Sequence, residues 1–395
     1  MTRTPAIRTI WPLLPFVVVL VAAMPRDAPS ATWEQWQTIP GIFDVAGPRG
    51  DGQLVVAGSG LLYLVDPSGA VIAFARGAQG YADDAGAEAY MTLSPGLVMD
   101  SPACSFAADD VFVLRLHAPI GITRVDGQGR ATPFATLTGM DSLGGIAFDT
   151  TGKFGYRLLA SGSSQGKSAI VAIDCTGAFQ FITKAAPGLE GGLAVAPIGF
   201  GAFGGDLIAP DEFSGKIYAI APDGSVAVVA VPGLPVGADI GVESVGFVPP
   251  GLTRSGEVYY PDRATPNNAH PGTDSLLRLP GTRIATAGVH DGDLLVATEG
   301  GATMIAVSCQ TTCSVTSVVG AGSTSHGEGH IAFTVNVIPT PAPSPVAGPV
   351  HAPTATRRGP DLTVPALLVL AVIALLIYVA MRRPPPRGAD PGPTG

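Results

Sequence analysis

A repeated pattern of short apolar segments limits what this 395-residue chain can fold into. Four copies run from an apolar stretch through a turn with Asp and Gly into a second apolar stretch, at 62–71, 122–129, 170–179 and 217–226. Weaker copies end at Leu279-Pro280-Gly281 and at Cys309 to Cys313. Gly accepts a positive φ, and Asp bonds to its own turn, so both residues suit tight hairpins. The pattern predicts six β-hairpins.

A second repeat, Gly-Gly-apolar-Ala-apolar, occurs at 144–148, 191–195, 244–247 and 329–333, and the first three copies precede hairpins. Phe148 lies 47 residues before Val195, and Val195 lies 52 residues before Phe247. Steps of about 40 to 50 residues with four strands each are typical of propeller blades. We therefore expect an all-β, six-bladed β-propeller, with five or seven blades and a two-sheet sandwich as the alternatives.

The two ends of the predicted propeller are expected to meet in one blade. The copy at 329–333 has no hairpin after it, while the hairpin at 53–74 is the first in the chain. We expect the C-terminal strand to be the inner strand of the blade that this first hairpin forms, because closure hides both sheet edges. Two long excursions, 77–96 and 263–273, interrupt the pattern and are expected on one face.

The Gly-Ile-Ala-Phe-Asp149 type of inner strand and the apolar-Asp-x-x-Gly turns resemble the six-bladed propellers of the NHL-repeat and SMP-30/gluconolactonase-like group, across roughly residues 40 to 336. In the lactonase-like members, the resemblance implies a divalent metal at the axis, held by carboxylates and an Asn, that activates water. Glu190-Gly191 looks like the Glu-Gly strand start of that family. The asparagines Asn267, Asn268 and Asn336 do not stand beside an inner strand as the family's asparagine does.

Acidic residues at the starts of the inner strands form the candidate metal site. Three glutamates each precede or open such a strand: Glu190, Glu243 and Glu328. The starts of the inner strands converge on the propeller axis. Converging carboxylates repel one another unless a cation compensates them, and hard oxygen ligands favour Ca²⁺ or a similar divalent ion. The alternative is that each Glu caps backbone amides or faces water. His326 is a further candidate ligand or base.

The predicted ligand-binding residues are His330 and three residues of the excursion after Tyr259, namely Asp262, Arg263 and His270. This mixture of acidic, cationic and imidazole groups is what a polar ligand site needs. The alternative is an ordered surface loop without a ligand.

Both ends of the chain predict export and membrane anchoring. Residues 362–381 are apolar and uncharged, long enough at about 1.5 Å per residue to cross a core of roughly 30 Å. Arg382 and Arg383 follow, which predicts a transmembrane helix over 361–381 and a cytoplasmic tail over 382–395. Residues 1–31 read as a signal peptide cleaved after Ala23 or Ala31, with an uncleaved signal anchor as the alternative.

Between these segments we expect the propeller over 32–336 and a Pro-rich stalk over 337–360. The protein is thus predicted to be a single-pass protein of the cell membrane, with its propeller outside. Its four cysteines then predict disulfides. Cys309 and Cys313 would close a turn, and Cys104 would pair with Cys175 if the fold brings them within about 7 Å. Metal-binding cysteines are the weaker alternative.

The functional prediction is a surface-displayed module that binds an extracellular ligand or protein. The net charge of −9 offers no basic surface for nucleic acid. The alternative is a metal-dependent hydrolase of the lactonase/SMP-30 type. A quinone-dependent sugar oxidoreductase ranks below both, because the sequence offers no identifiable His/Arg catalytic set.

Overall fold

Six four-stranded antiparallel sheets and one two-stranded sheet form the described part of the chain. The computed structural model describes residues 31–75, 81, 88–189, 191–320 and 324–336. The six sheets are the blades of a β-propeller, each with an inner strand at the axis and three strands outside it. The prediction of six blades is confirmed.

The first two blades follow the N-terminal strand β1, Glu34–Thr38. Blade 1 consists of β2 (Ile42–Ala46), β3 (Leu54–Gly58), β4 (Leu61–Val65) and β5 (Val71–Ala75). The chain then forms β6 (Met91–Leu93), the two-stranded sheet β7 (Val98–Met99) and β8 (Cys104–Ser105), β9 (Val111–Arg115), β10 (Gly121–Val125) and β11 (Ala131–Thr136). Blade 2 consists of β6, β9, β10 and β11. The segment 77–96, predicted as an excursion, therefore contains the inner strand of blade 2.

Blades 3 and 4 follow the simple chain order that the repeat predicts. Blade 3 consists of β12 (Ser142–Phe148), β13 (Leu158–Ser164), β14 (Lys167–Ile173) and β15 (Phe179–Thr183). Blade 4 consists of β16 (Ala194–Val195), β17 (Leu207–Asp211), β18 (Lys216–Ile220) and β19 (Val226–Ala230), with a 3-10 turn at Gly201–Phe203.

The last two blades are interleaved along the chain. The remaining elements are β20 (Val242–Phe247), α1 (Leu252–Ser255), β21 (Gly256–Asp262), β22 (Ser275–Pro280), α2 (Gly281–Thr286), β23 (Leu294–Thr298), β24 (Met304–Cys309), β25 (Cys313–Val319) and β26 (Ala332–Val335). Blade 5 joins β20 to β23, β24 and β25, whereas blade 6 joins β26 to β21, β22 and β1. The chain thus leaves blade 5, builds half of blade 6, and returns.

Ring closure occurs in blade 6, where the predicted strand pairing needs correction. The C-terminal strand β26 is an inner strand, as expected, but its outermost partner strand is β1 and not the hairpin at 53–74. That hairpin has its own inner strand, β2, which the repeat pattern does not predict. The copy that ends at Leu279-Pro280-Gly281 is the hairpin of β21 and β22, and α2 follows it from Gly281 in place of another strand.

The two short helices pack closely where the chain crosses between blades 5 and 6. A Cβ added at Gly281 would lie 2.0 Å from the carbonyl oxygen of Leu252 in α1. A glycine is therefore needed at this crossing. Neither helix is long and apolar enough to cross a membrane, which holds for all helices of the described residues. The predicted transmembrane helix, stalk, tail and signal peptide lie outside the described residues, apart from Ala31 at the end of the signal peptide.

Apolar side chains fill the spaces between neighbouring blades. Between blades 2 and 3, for example, the rings of Phe106 and Phe112 stack edge to face with Phe148 at centroid distances of 5.0 and 5.5 Å. Both predicted disulfides are present. Cys104 bonds to Cys175 across these two blades, and Cys309 bonds to Cys313 at the β24–β25 turn.

Candidate functional site

Two aromatic side chains cross the propeller axis and close its channel. Tyr90, just before β6 of blade 2, reaches Glu243 in β20 of the opposite blade 5. His330, just before β26 of blade 6, reaches Ile146 in β12 of the opposite blade 3. The two rings meet edge to face with centroids 6.3 Å apart. The two side chains therefore pack against each other across the axis.

An Asp–His pair, in which Asp44 is fully buried and the His330 side chain is 12% exposed, ties the inner strands together. The carboxylate of Asp44 in β2 accepts hydrogen bonds from His330 Nδ1 at 2.9 Å, from the His330 amide at 2.8 Å and from the Met91 amide at 2.6 Å. His330 Nε2 lies 2.8 Å from the carbonyl oxygen of Ile146. One cluster therefore links blades 1, 2, 3 and 6.

The partners of His330 fix its protonation. A carbonyl oxygen and a carboxylate both accept hydrogen bonds, so each ring nitrogen must carry a proton and the ring is an imidazolium. Burial alone would lower the pKa of His330, but the charge and hydrogen bond of Asp44 raise it. With both nitrogens bonded inside the fold, His330 acts as a clamp between blades in this structure.

An acidic pocket of about 180 Å³ opens at the end of the axis where the inner strands begin. Six carboxyl groups line it, together with Tyr90, Ala238 and Phe213: Glu88, Glu212, Asp239, Glu243, Glu299 and Glu328. Two basic groups lie against these acids, because Arg263 contacts Glu88 and Glu328 while His326 contacts Glu299. We call this cavity the acidic pocket.

Glu243 and Glu328 meet at the hydroxyl of Tyr90. The hydroxyl lies 3.1 Å from Glu243 Oε1 and 2.5 Å from Glu328 Oε1. Burial, followed by the charges of Glu243 and Glu328, raises the pKa of Tyr90, so the phenol keeps its proton. The single phenolic proton can be donated to only one of these two carboxyl groups at a time, so the two groups share one donor at this hydroxyl.

Burial also has the largest effect on the pKa of Glu328, whose side chain is 3% exposed. Burial together with the charges of Glu88 and Glu299 raises the pKa of Glu328 to about 8, against the opposing effects of Arg263 and the Tyr90 hydrogen bond. A cation bound to this carboxyl group would compete with its proton.

The rim of the acidic pocket carries groups at metal-ligand spacing. Three residues each offer one ligand atom here, and these atoms lie within 4.8 Å of one another: Asp239, Glu299 and His326. His326 Nε2 is 2.9 Å from Glu299 Oε1. Among the described residues, the buried His326 Nδ1 and Tyr260 hydroxyl have no hydrogen-bond partner. Burial, followed by the charges of Glu243, Glu328 and Glu299, raises the pKa of Tyr260.

The structure brings some of the predicted site residues together and separates others. Glu243 and Glu328 line the acidic pocket and Arg263 contacts Glu328 from beside it, whereas Glu190 lies outside the described residues. Asp262 is buried and accepts hydrogen bonds from the His326 amide and the Thr273 hydroxyl. Their assignment as metal ligands or ligand-binding residues remains a prediction.

His270 lies in the loop between β21 and β22, where its amide donates to Asn268 Oδ1. It does not line the acidic pocket.

Five ionisable residues of the acidic pocket were not predicted as site residues from the sequence: Glu88, Tyr90, Glu212, Asp239 and Glu299. Glu299-Gly300 repeats the Glu-Gly string of Glu190-Gly191, so a search for that string would have found it. Glu88 and Tyr90 precede an inner strand that has no Gly-Gly signal. Asp239 stands in a loop that carries no strand pattern.

No protein-family model matches the chain, and no curated protein matches it. Among solved structures, the chain is similar to the nidogen/laminin complex, with 12% identity, a TM-score of 0.45, and coverage of 74% of this chain and 84% of the other. Virginiamycin B lyase from Staphylococcus aureus has 12% identity and a TM-score of 0.39, and the match covers 72% of this chain and 87% of the lyase. A protein that structural genomics assigned as a gluconolactonase has 11% identity and a TM-score of 0.37, and the match covers 76% of this chain and 94% of that protein. The similarity concerns the propeller fold.

Proposed function

We propose that the protein is a cation-dependent binding module whose ligand site is the acidic pocket. The observation that carries this proposal is the meeting of Glu243 and Glu328 at one Tyr90 hydroxyl, inside a pocket lined by six carboxyl groups. A divalent cation would relieve the repulsion between these acids. Carboxylate oxygens are the ligands that Ca²⁺ prefers, and Asp239, Glu299 and His326 offer further donors at the rim.

Calcium is expected to raise the melting temperature of the full-length chain after EDTA treatment. A ligand that binds only the folded state adds about 2.7 kcal/mol at 100 times its Kd, which is several degrees for a domain of this size. Glu243→Gln removes one anionic ligand and should shrink the shift by half or more. The measurement is a thermal melt with and without Ca²⁺.

Asp126→Asn serves as the matched control, because Asp126 lies in an exposed blade turn and bonds to Arg130. This variant should keep the full calcium shift. An unchanged melting temperature of the wild-type chain across millimolar Ca²⁺, Mg²⁺ and Mn²⁺ would refute the cation site.

Metal-dependent hydrolysis is the second candidate, and the raised pKa of Glu328 favours it. A carboxyl group that holds its proton at neutral pH can serve as a general acid. Turnover of sugar lactones or esters that needs a divalent ion and is abolished by Glu190→Gln would establish the hydrolase. Calcium stabilisation without turnover of these substrates would establish the binding module.

We further propose that the module is displayed outside the cell membrane on a single C-terminal span. The support is the uncharged segment 362–381 with Arg382 and Arg383 behind it. A reporter fused after Gly395 should be cytoplasmic. Protease added to intact cells should digest accessible parts of the exported region and spare a C-terminal tag; loss of the tag with an intact propeller would show the opposite orientation.

A further inference from the structure

A polar groove adjoins the acidic pocket on the same face of the propeller. It has a volume of about 320 Å³, spans blades 3 and 4, and is lined by polar and aromatic side chains: Ser142, Ser163, Ser168, Asp211, Glu212 and Phe213. Glu212 and Phe213 line both cavities. The groove and the acidic pocket therefore form one continuous surface that extends outward from the axis.

Phe213 presents its ring to solvent at the junction of the two cavities. Its exposed fraction is 68%. The turn that carries it is tightly bonded, since Asp211 Oδ1 accepts from the amides of Phe213 and Ser214 at 3.1 and 3.3 Å, and Asp211 Oδ2 accepts from the Ser214 hydroxyl. A well-fixed turn that holds an aromatic ring in water offers an apolar surface ready for a ligand.

The turn of Phe213 is tied to the loop that carries Asp239. The amide of Gly237 donates to the carbonyl oxygen of Glu212 at 3.0 Å. A Cβ added at Gly241 would lie 2.5 Å from that same oxygen, so the two loops are in close contact. A cation held by Asp239 would thus stabilise the loop against which the Phe213 turn rests.

We propose that this groove binds a neutral saccharide, with one pyranose ring against Phe213. A pyranose has an apolar C–H face that packs on an aromatic ring, and hydroxyls that need donors and acceptors at its edge. The groove supplies these as the hydroxyls of Ser142 and Ser163, which bond to each other at 2.7 Å, and as Ser168. The carboxyl groups of Asp211 and Glu212 disfavour anionic ligands. The inference rests on the proposed binding function of the acidic pocket.

The test is an array of immobilised neutral hexasaccharides of glucose, mannose, galactose and xylose, probed with the full-length chain in 2 mM Ca²⁺. A polyuronate and a hexalysine peptide are included as charged probes. At least one neutral saccharide should be retained, and Phe213→Ala should weaken that binding by about tenfold or more, because it removes the stacking surface. Tyr156→Ala is the matched control, since Tyr156 is an exposed aromatic residue that lines neither cavity, and should bind within twofold of the wild type.

The calcium-dependent melting temperature, measured on the same samples, separates this inference from the proposed function. A calcium shift without retention of any neutral saccharide would overturn the saccharide site and leave the cation site standing. Saccharide binding that Phe213→Ala leaves unchanged would overturn the groove assignment. Retention of hexalysine alone would also overturn it and point to a cationic partner. Loss of both the calcium shift and saccharide binding would overturn both proposals.

Discussion

Asp44→Asn will lower the melting temperature of the protein by roughly 10 °C in a thermal melt of the full-length chain. The substitution removes the buried charge that faces the His330 imidazolium and weakens the acceptor of the His330 and Met91 amides. Breaking one side of a buried charge pair costs about 3–5 kcal/mol, because the remaining charge is left without compensation. The pair also links four of the six blades, so its loss destabilises the whole propeller.

The matched control is Asp66→Asn, the same change in an exposed turn. Asp66 also accepts from two backbone amides, those of Ser68 and Ala70. Because water can replace these hydrogen bonds, the melting temperature of the Asp66→Asn variant should differ little from that of the wild type. Equal losses for Asp44→Asn and Asp66→Asn would show that the axial pair contributes nothing beyond an ordinary turn.

The contribution of His330 should depend on pH in a defined direction. Its folded-state pKa lies above the ordinary value of about 6.5. The stabilisation is therefore complete below pH 6.5 and is lost as the pH rises through the folded-state pKa. Its neighbours are the carboxylate of Asp44 and the ring of Tyr90. Melts of the wild type and His330→Gln in EDTA should differ most at low pH; a constant difference up to pH 9 would contradict the imidazolium.

Gly191→Ala will destabilise the propeller by more than about 3 kcal/mol and abolish most of the calcium shift. Gly191 has a φ of +72°, and an added Cβ would lie 2.0 Å from the carbonyl oxygen of Glu243 and 2.2 Å from its Oε1. The added methyl group must therefore displace Glu243 from the Tyr90 hydroxyl. Chemical denaturation and calcium-dependent melts measure the two effects.

Gly233→Ala separates steric clash from backbone strain. Gly233 has the same φ of +72°, and nothing lies within 4 Å of an added Cβ. It should cost only the backbone strain, about 1–2 kcal/mol, and keep the calcium shift. If Gly191→Ala and Gly233→Ala are equally stable and bind calcium equally, the close contact between Gly191 and Glu243 contributes neither to stability nor to calcium binding.

The propeller could be predicted because its turns and small-residue inner strands recur at a regular spacing. The start of blade 2 was missed because Tyr90 and Met91 stand where other blades have small residues. The interleaving of blades 5 and 6 could not be foreseen. Local patterns mark β21 and β22 as strands, but they do not show which sheet those strands join, since that depends on pairing with β1 and β26 far along the chain.

The candidate site could be predicted only where it follows strand position. Glu243 and Glu328 were found because they stand at inner-strand starts, and these starts converge. Asp239 and Glu299 come from loops whose approach to the axis depends on contacts such as the amide of Glu299 donating to Gly241. Tyr90 reaches the site by crossing the whole channel, a distance that no local sequence pattern encodes.

The cation site can be observed in a crystal structure of the full-length chain soaked in calcium, with terbium as an anomalous substitute. Density for one cation is expected inside the acidic pocket, within about 2.3–2.6 Å of carboxylate oxygens that include Glu243 or Glu328. The same pocket without a cation at millimolar calcium, with Glu243 and Glu328 still bonded to Tyr90, would contradict the account.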